Sequence, residues 1–307
     1  MTDREQARFD GDGVDPPGRP MLIGEVLFDV MPDGTRVLGG APFNVAWHLQ
    51  AFGLRPLMIT RVGADDAGDE VLVAMASWGM DRTGVQRDEA HSTGRVQIDL
   101  DDGEPTFHIL PDQAYDFLDR VLAVESIGNQ KISLIYHGSL ISRGESSRFV
   151  VDECVQRLDA PVFIDVNLRD PWWAREGVTA ALDRARWAKL NEAELGLLAG
   201  ASDLSAATTF RENHDLAAVI VTRGSHGAVV VDGDGTVEAA PPDMVQVVDT
   251  VGAGDAFSSV FLLGLVKGWP TRISLDRALE FAAAVCMQLG ATSADRGLYA
   301  GFRERGW

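Results

Sequence analysis

Asp255 stands in the string Val248-Asp249-Thr250-Val251-Gly252-Ala253-Gly254-Asp255-Ala256-Phe257, where small residues at 252–254 allow a tight turn and an apolar helix begins directly afterwards. A helix start offers unpaired N–H groups and the positive end of the helix dipole, a combination that holds phosphate oxygens. A carboxylate in such a turn would repel the anion, so its presence needs a reason. Two are open: a first-turn capping carboxylate, or a general base for a hydroxyl that attacks the phosphate. Other phosphate and metal chemistries find no text. There is no GxxxxGK(S/T) loop and no GxGxxG after the first strand. The six histidines show no metal-ligating spacing, and Cys154 and Cys286 form no CxxC pair. Asp232-Gly233-Asp234-Gly235 has a calcium-loop look, but between Ala228–Val231 and Thr236–Ala239 it reads as a hairpin turn.

The elements that must position Asp255 alternate. Met21–Val30, Pro56–Val62, Ile132–His137, Val162–Val166 and Ala218–Thr222 are β-type runs, the first interrupted by Gly24 and Glu25. Helical patterns cover Phe43–Phe52, Asp66–Trp78, Glu145–Leu158, Gly254–Lys267 and Ser274–Leu289. Short apolar strands separated by helices imply βαβ units and a mostly parallel sheet covered on both faces. Arg95–Leu110 departs from this pattern: two alternating strands flank the turn Asp101-Asp102-Gly103, and Arg36–Leu38 could add a third. Such a small antiparallel sheet suits a lid, an oligomer contact or a plain edge hairpin.

A length of 307 residues, 46% hydrophobic and 24% charged, suits one large α/β domain that buries its own core. With 27 basic and 46 acidic residues the net charge is −19, which repels a nucleic-acid backbone. Met1–Pro20 is polar, acidic and rich in Gly and Pro, and reads as a mobile tail without a signal-peptide pattern. The longest apolar stretch, near Val260–Val266, is far short of the roughly 20 residues that span a bilayer. A cytoplasmic protein is expected.

The string DTVGAGDAF resembles the C-terminal signature of the ribokinase-like (PfkB) carbohydrate kinases, and Gly39-Gly40-Ala41-Pro42-Phe43-Asn44-Val45-Ala46 is similar to their N-terminal signature. Further matches lie between them, so that the resemblance covers about residues 20–307. It implies a three-layer α/β/α fold with a mostly parallel central sheet and a small antiparallel β lid. The kinase domain would then span 21–307, with lid segments near 31–38 and 93–110. Asp255 becomes the general base and the backbone of Gly252, Ala253, Gly254 and Asp255 an anion hole. The signature normally has a small residue where this chain has Val260, a difference we read as helix packing.

By the same resemblance Asp29 grips sugar hydroxyls, Gly39 and Gly40 admit the sugar, and the Asn44 amide contacts it. Asn191 and Glu194, in Lys189-Leu190-Asn191-Glu192-Ala193-Glu194, would lie one turn apart on a helix and face the ATP phosphates, with Glu194 reaching Mg²⁺ through water. The same letters also write a capping box. Thr222, Gly224 and Gly227 are implied on the nucleotide. Asp249, Val251 and the backbone near Gly290 are implied beside a monovalent cation such as K⁺.

The strings GEVLFD, GGAPFNVAWHL and Asp165-Val166-Asn167-Leu168-Arg169-Asp170-Pro171-Trp172-Trp173 look most like bacterial fructokinases. The Arg169 guanidinium suits phosphate or substrate, or else a surface ion pair with Asp170 or Glu176. Fructose is therefore the leading substrate and MgATP the donor. Ribose, 2-keto-3-deoxygluconate or a nucleoside stand as alternatives within the fold, with Arg95 the candidate for reading a sugar acid. A silent sugar- or nucleotide-binding regulator is the alternative outside catalysis. Trp47 could line the sugar site or belong to the core. A homodimer through the lid is implied, with no nucleic acid and no membrane as partner.

Overall fold

The computed structural model describes residues 18–101, 104–242 and 246–307. In chain order the elements are β1 (Arg19–Ile23), β2 (Leu27–Val30), β3 (Arg36–Gly39), α1 (Ala41–Ala51), β4 (Leu57–Gly63), α2 (Asp66–Trp78) and β5 (Val85–Asp88). They continue with β6 (Gly94–Asp101), β7 (Glu104–Ile109), α3 (Arg120–Ile127), β8 (Ile132–Gly138), α4 (Glu145–Arg157), β9 (Val162–Asp165), α5 (Arg175–Leu182) and β10 (Trp187–Asn191). The last are α6 (Glu192–Ala199), α7 (Leu204–Asn213), β11 (Ala218–Thr222), β12 (Ala228–Asp232), β13 (Gly235–Ala239), α8 (Ala253–Lys267), α9 (Thr271–Val285) and α10 (Arg296–Arg303).

Nine strands form the main sheet in the order β13-β12-β11-β10-β9-β8-β1-β4-β5. Pairing is parallel from β11 through to β5 and antiparallel only at the β11–β12–β13 end. Val, Ile and Leu on both faces of strands such as β8, where every residue is buried, supply a core on each side. One core holds α1, α2, α8 and α9, the other α4 to α7, which completes the three-layer arrangement.

The apolar run Met21–Val30 is two strands in two sheets rather than one. Gly24 donates to the Ile59 carbonyl at 3.1 Å, and a Cβ there would sit 2.2 Å from Pro42. The chain therefore leaves the main sheet at this glycine and enters the second sheet at Leu27. That sheet runs β3-β2-β6-β7. Its outer pairs, β2–β3 and β6–β7, are antiparallel as expected, and β2 joins β6 in parallel. Arg36–Gly39 supplies the third strand that the alternation suggested.

Other boundaries shift for local reasons. Of the expected tail, residues 1–17 lie outside the described residues, whereas Arg19 and Pro20 already belong to β1. The helix expected over 274–289 stops at Val285, and residues after its cap Cys286 turn back as a loop. Part of the turn at Asp101-Asp102-Gly103 lies outside the described residues. The 232–235 turn is a hairpin, with Asp232 Oδ1 accepting from the amides of Asp234 and Gly235. Trp47 is core: it stacks on Trp78 at 4.7 Å and gives its Nε1–H to the Ser293 carbonyl. Val260 is fully buried inside α8, as a packing difference requires. Both cysteines are buried and unpaired. No described helix is long and apolar enough to cross a membrane.

Candidate active site

A cleft of about 550 Å³ opens where the carboxyl ends of β9, β10 and β11 meet the start of α8, roofed by Val96, Phe107 and Ile109 of the second sheet. Crevices at the carboxyl ends of parallel strands are where such sheets bind ligands. Asp29, Gly40, Asn44, Arg169, Asn191, Glu194, Thr222, Val251, Gly252, Gly254 and Asp255 all line it. Residues predicted from opposite ends of the chain thus meet in one cavity. Gly39 stands just behind, and a Cβ on it would come 3.8 Å from Asp29 Oδ2 and Asn44 Oδ1.

α8 begins as its sequence suggests. Gly252 caps it in the left-handed region, with φ at 78°, and a Cβ there would collide with Ala291 at 2.3 Å. The Ala253 amide turns back to the Thr250 carbonyl at 3.3 Å. Among the described residues the amides of Gly252, Gly254 and Asp255 have no acceptor, so within the 252–255 turn only Ala253 is withdrawn from the anion-binding donors.

Asp255 Oδ2 accepts from Asn44 Nδ2 at 2.8 Å. Removal from water pushes the Asp255 carboxyl up to about 6, against the pull of the Asn44 hydrogen bond, and the nearby Asp165 adds to the rise. A carboxylate tuned toward neutrality can both ionise and take up a proton. Asn44 Oδ1 is buried and accepts no hydrogen bond among the described residues. Burial also raises Asp29, with Arg169 opposing. Arg169 is exposed, donates to the Leu168 carbonyl at 3.3 Å, and forms no ion pair with Asp170 or Glu176 among the described contacts.

Asn191 and Glu194 form the capping box that their letters allow, not a pair on one helix face. Asn191 is the N-cap of α6 and accepts the Glu194 amide at 2.9 Å, while Glu194 Oε2 accepts the Asn191 amide at 2.8 Å. Glu194 Oε1 accepts the Leu168 amide at 2.8 Å, which ties α6 to the loop carrying Arg169. Gly224 and Gly227 are not in the cleft wall. Gly227 is needed where it stands because a Cβ would lie 2.0 Å from the Ala239 carbonyl oxygen. Asp249 receives the Val251 amide on Oδ1 and the Gly290 amide on Oδ2, each at 3.0 Å, so the three residues expected around a cation are brought together. Arg95 alternates with Val96 and points away from the cleft, exposed on the other face of its sheet.

Reasoning from residues alone passed over two features. Lys189 holds both oxygens of Asp165 at 2.8 Å, buried beneath α8, with Ser258 and Tyr136 hydroxyls also on Asp165 Oδ2. Glu25 lies in the cleft wall almost fully buried. The available signals were a charged residue inside an apolar strand for Lys189, one ending an apolar strand for Asp165, and one just beyond an apolar strand for Glu25. A larger, shallower groove between Arg61, Asp88, Phe117 and Phe149 holds none of the predicted residues.

The comparisons with known proteins agree with this geometry. Residues 27–296 match the profile of the pfkB family carbohydrate kinases. A fructokinase of Klebsiella pneumoniae is 31% identical over 289 residues, covering 90% of this chain and 94% of its own. A fructokinase mutant of Vibrio cholerae O395, solved with fructose, ADP and potassium ion, superposes with a TM-score of 0.79 at 25% identity, covering 94% of this chain and 99% of that one. The aminoimidazole riboside kinase of Salmonella enterica shares the fold, with a TM-score of 0.77 at 23% identity over 92% of this chain and 99% of its own. The chain belongs to the pfkB family of carbohydrate kinases, with that family's ribokinase-like fold.

Proposed function

We propose that this kinase transfers the γ-phosphoryl group of MgATP to a primary hydroxyl of fructose, giving fructose 6-phosphate. The observation that carries the reading is Asp255: a carboxyl raised to about 6, aimed into the cleft by Asn44, beside helix-start amides that find no acceptor among the described residues. Asp255 removes the proton of the attacking hydroxyl. The amides of Gly252, Gly254 and Asp255 receive charge on the group in transit. Asp29 and Asn44 hold the sugar, Arg169 reaches the substrate or the phosphoryl group, and the second sheet closes over both to exclude water. The fructokinase likeness and the short strings shared with that group support fructose.

Asn191, Glu194 and Thr222 stand on the nucleotide side, with Gly224 and Gly227 shaping the loop behind them. No cluster of three metal-ligating side chains occurs among the described residues. Mg²⁺ keeps several waters and needs only one or two carboxylates plus phosphates. Glu194, whose oxygens retain lone pairs beyond their two backbone donors, is the residue to meet it through water. Mg²⁺ supplies charge neutralisation on the phosphates. Asp249, with Val251 and Gly290, is the place for K⁺ as an activator.

Residues 21–307 act as one kinase unit in the cytoplasm on this reading. The open edge strands β3 and β7 of the second sheet suit a homodimer formed through the lid. Ribose or a nucleoside remains the second reading. A sugar acid is disfavoured by the outward direction of Arg95. ADP release from MgATP across fructose, ribose, glucose, 2-keto-3-deoxygluconate and adenosine, with and without K⁺, tests the substrate. A different winner overturns fructose, and no turnover with retained ATP binding restores the regulator.

A further inference from the structure

Glu25 occupies the link between β1 and β2, where the chain passes from the main sheet to the second one. It is 4% exposed, and its Oε2 atom is buried with no hydrogen-bond partner. It nevertheless lines the cleft, on the same wall as Asp29, Asn44 and Asp255. An unpaired carboxylate so placed would be strongly disfavoured, because burial without a compensating donor costs several kcal/mol. Gly40 shows how tightly this segment is held: a Cβ on it would meet the Glu25 carbonyl oxygen at 2.7 Å.

The groups around Glu25 leave its charge unanswered. Asp255 on α8 opposes ionisation; Arg169, after β9, and Arg143, after β8, favour it from a distance without an ion pair. Arg143 gives Nε to Asp116 Oδ1 and Nη2 to Asp116 Oδ2, each at 2.7 Å, and its buried Nη1 makes no hydrogen bond to Glu25 among the described residues. The Tyr115 and Tyr136 hydroxyls that sense Glu25 are themselves held neutral by burial. Burial, followed by Asp255, pushes the Glu25 carboxyl up to about 7 despite its own backbone hydrogen bond.

We propose that Glu25 is a substrate-binding residue that donates a hydrogen bond from its protonated carboxyl to an oxygen of the bound sugar, and that it stays protonated while Asp255 is ionised in the active enzyme. Asp255 is the ionised partner and takes the hydroxyl proton; Glu25 keeps its own. One protonated and one ionised carboxyl on the same wall is the arrangement that like-charge repulsion favours. The inference rests on the reading of the cleft as a sugar site with Asp255 as base.

The test uses the panel sugar with the highest turnover, D-fructose on the present reading. Wild-type kcat/KM for that sugar should be bell-shaped, highest between about 6 and about 7, with Asp255 setting the acid limb and Glu25 the alkaline limb. Glu25→Gln, which can still donate, should keep the acid limb and lose the alkaline one. Glu25→Leu should raise the sugar KM by about 10- to 100-fold while the MgATP KM stays within about 3-fold. Calorimetric affinity of the wild type for the sugar should fall from about pH 6 to about pH 8.5, a readout that needs no folded variant. An alkaline limb that survives in Glu25→Gln, or a sugar affinity indifferent to pH, overturns the Glu25 role alone. A wild type that phosphorylates no sugar overturns the sugar reading and this inference with it.

Discussion

Asn44 and Asp255 are 211 residues apart in the chain, yet the Asn44 amide donates to the Asp255 carboxylate at 2.8 Å. A carboxylate only accepts, so the Asn44 side chain must present its nitrogen there, and its buried oxygen accepts no hydrogen bond among the described residues. The pair joins α1 to α8 and fixes the direction in which Asp255 can take a proton.

Asn44→Ala should therefore act on the base as well as on the sugar. The hydrogen bond lowers the Asp255 carboxyl, so its loss moves the value above about 6, and the acid limb of the kcat/KM profile shifts to higher pH. Asp255→Asn, with no base at any pH, should lose about 10²–10⁴-fold in turnover. An unshifted acid limb in Asn44→Ala would show that the contact does not tune the base.

Glu25 makes a stability prediction of its own. Its folded value of about 7 exceeds the ordinary 4.5, so the folded state holds the proton more tightly and stability declines as pH rises between those values. Glu25→Gln removes that loss. The variant should be more stable than the wild type near pH 8, by on the order of 3 kcal/mol, and no more stable near pH 4. Urea unfolding at the two pH values measures the difference, and a gain equal at both would contradict the linkage.

His48 supports the phosphate turn from behind. Its Nε2 lies 3.0 Å from the Ala291 carbonyl and its Nδ1 3.0 Å from the Tyr299 hydroxyl. The carbonyl can only accept, so Nε2 carries the proton and Tyr299 donates to Nδ1. Ala291 is the residue against which Gly252 packs. Burial lowers His48 to about 4, so its contribution is complete above about 6.5 and is lost as pH falls through about 4. His48→Phe leaves the buried Ala291 carbonyl without its donor, while the Tyr299 hydroxyl keeps the Ser293 carbonyl at 3.3 Å, and should cost about 1–3 kcal/mol in chemical denaturation, with a drop in kcat. Unchanged stability would mean that the loop at 291 is held by other contacts.

The Lys189–Asp165 ion pair lies almost wholly out of solvent, so removing either partner strands the other's charge. Asp165→Asn should destabilise the protein by about 3–5 kcal/mol, more than the loss of any exposed ion pair such as Arg272–Asp276. Thermal unfolding of Asp165→Asn beside Arg272→Ala checks the ranking.

Much of the fold and of the catalytic turn was legible in the sequence because their causes are local. Alternating apolar strands and helices implied the parallel sheet, and Gly-Ala-Gly before an apolar run could only start a helix in a tight turn. The capping reading of Asn191 and Glu194 was legible for the same reason. The break at Gly24 was not, since it arises from Pro42 packing against that glycine. Nor did the spelling of Lys189, Asp165 or Glu25 say whether their charges would meet a partner. Whether a carboxyl is paired, tuned or left bare depends on which distant elements close around it, and here only the meeting of β1, β9, β10, α1 and α8 decided that.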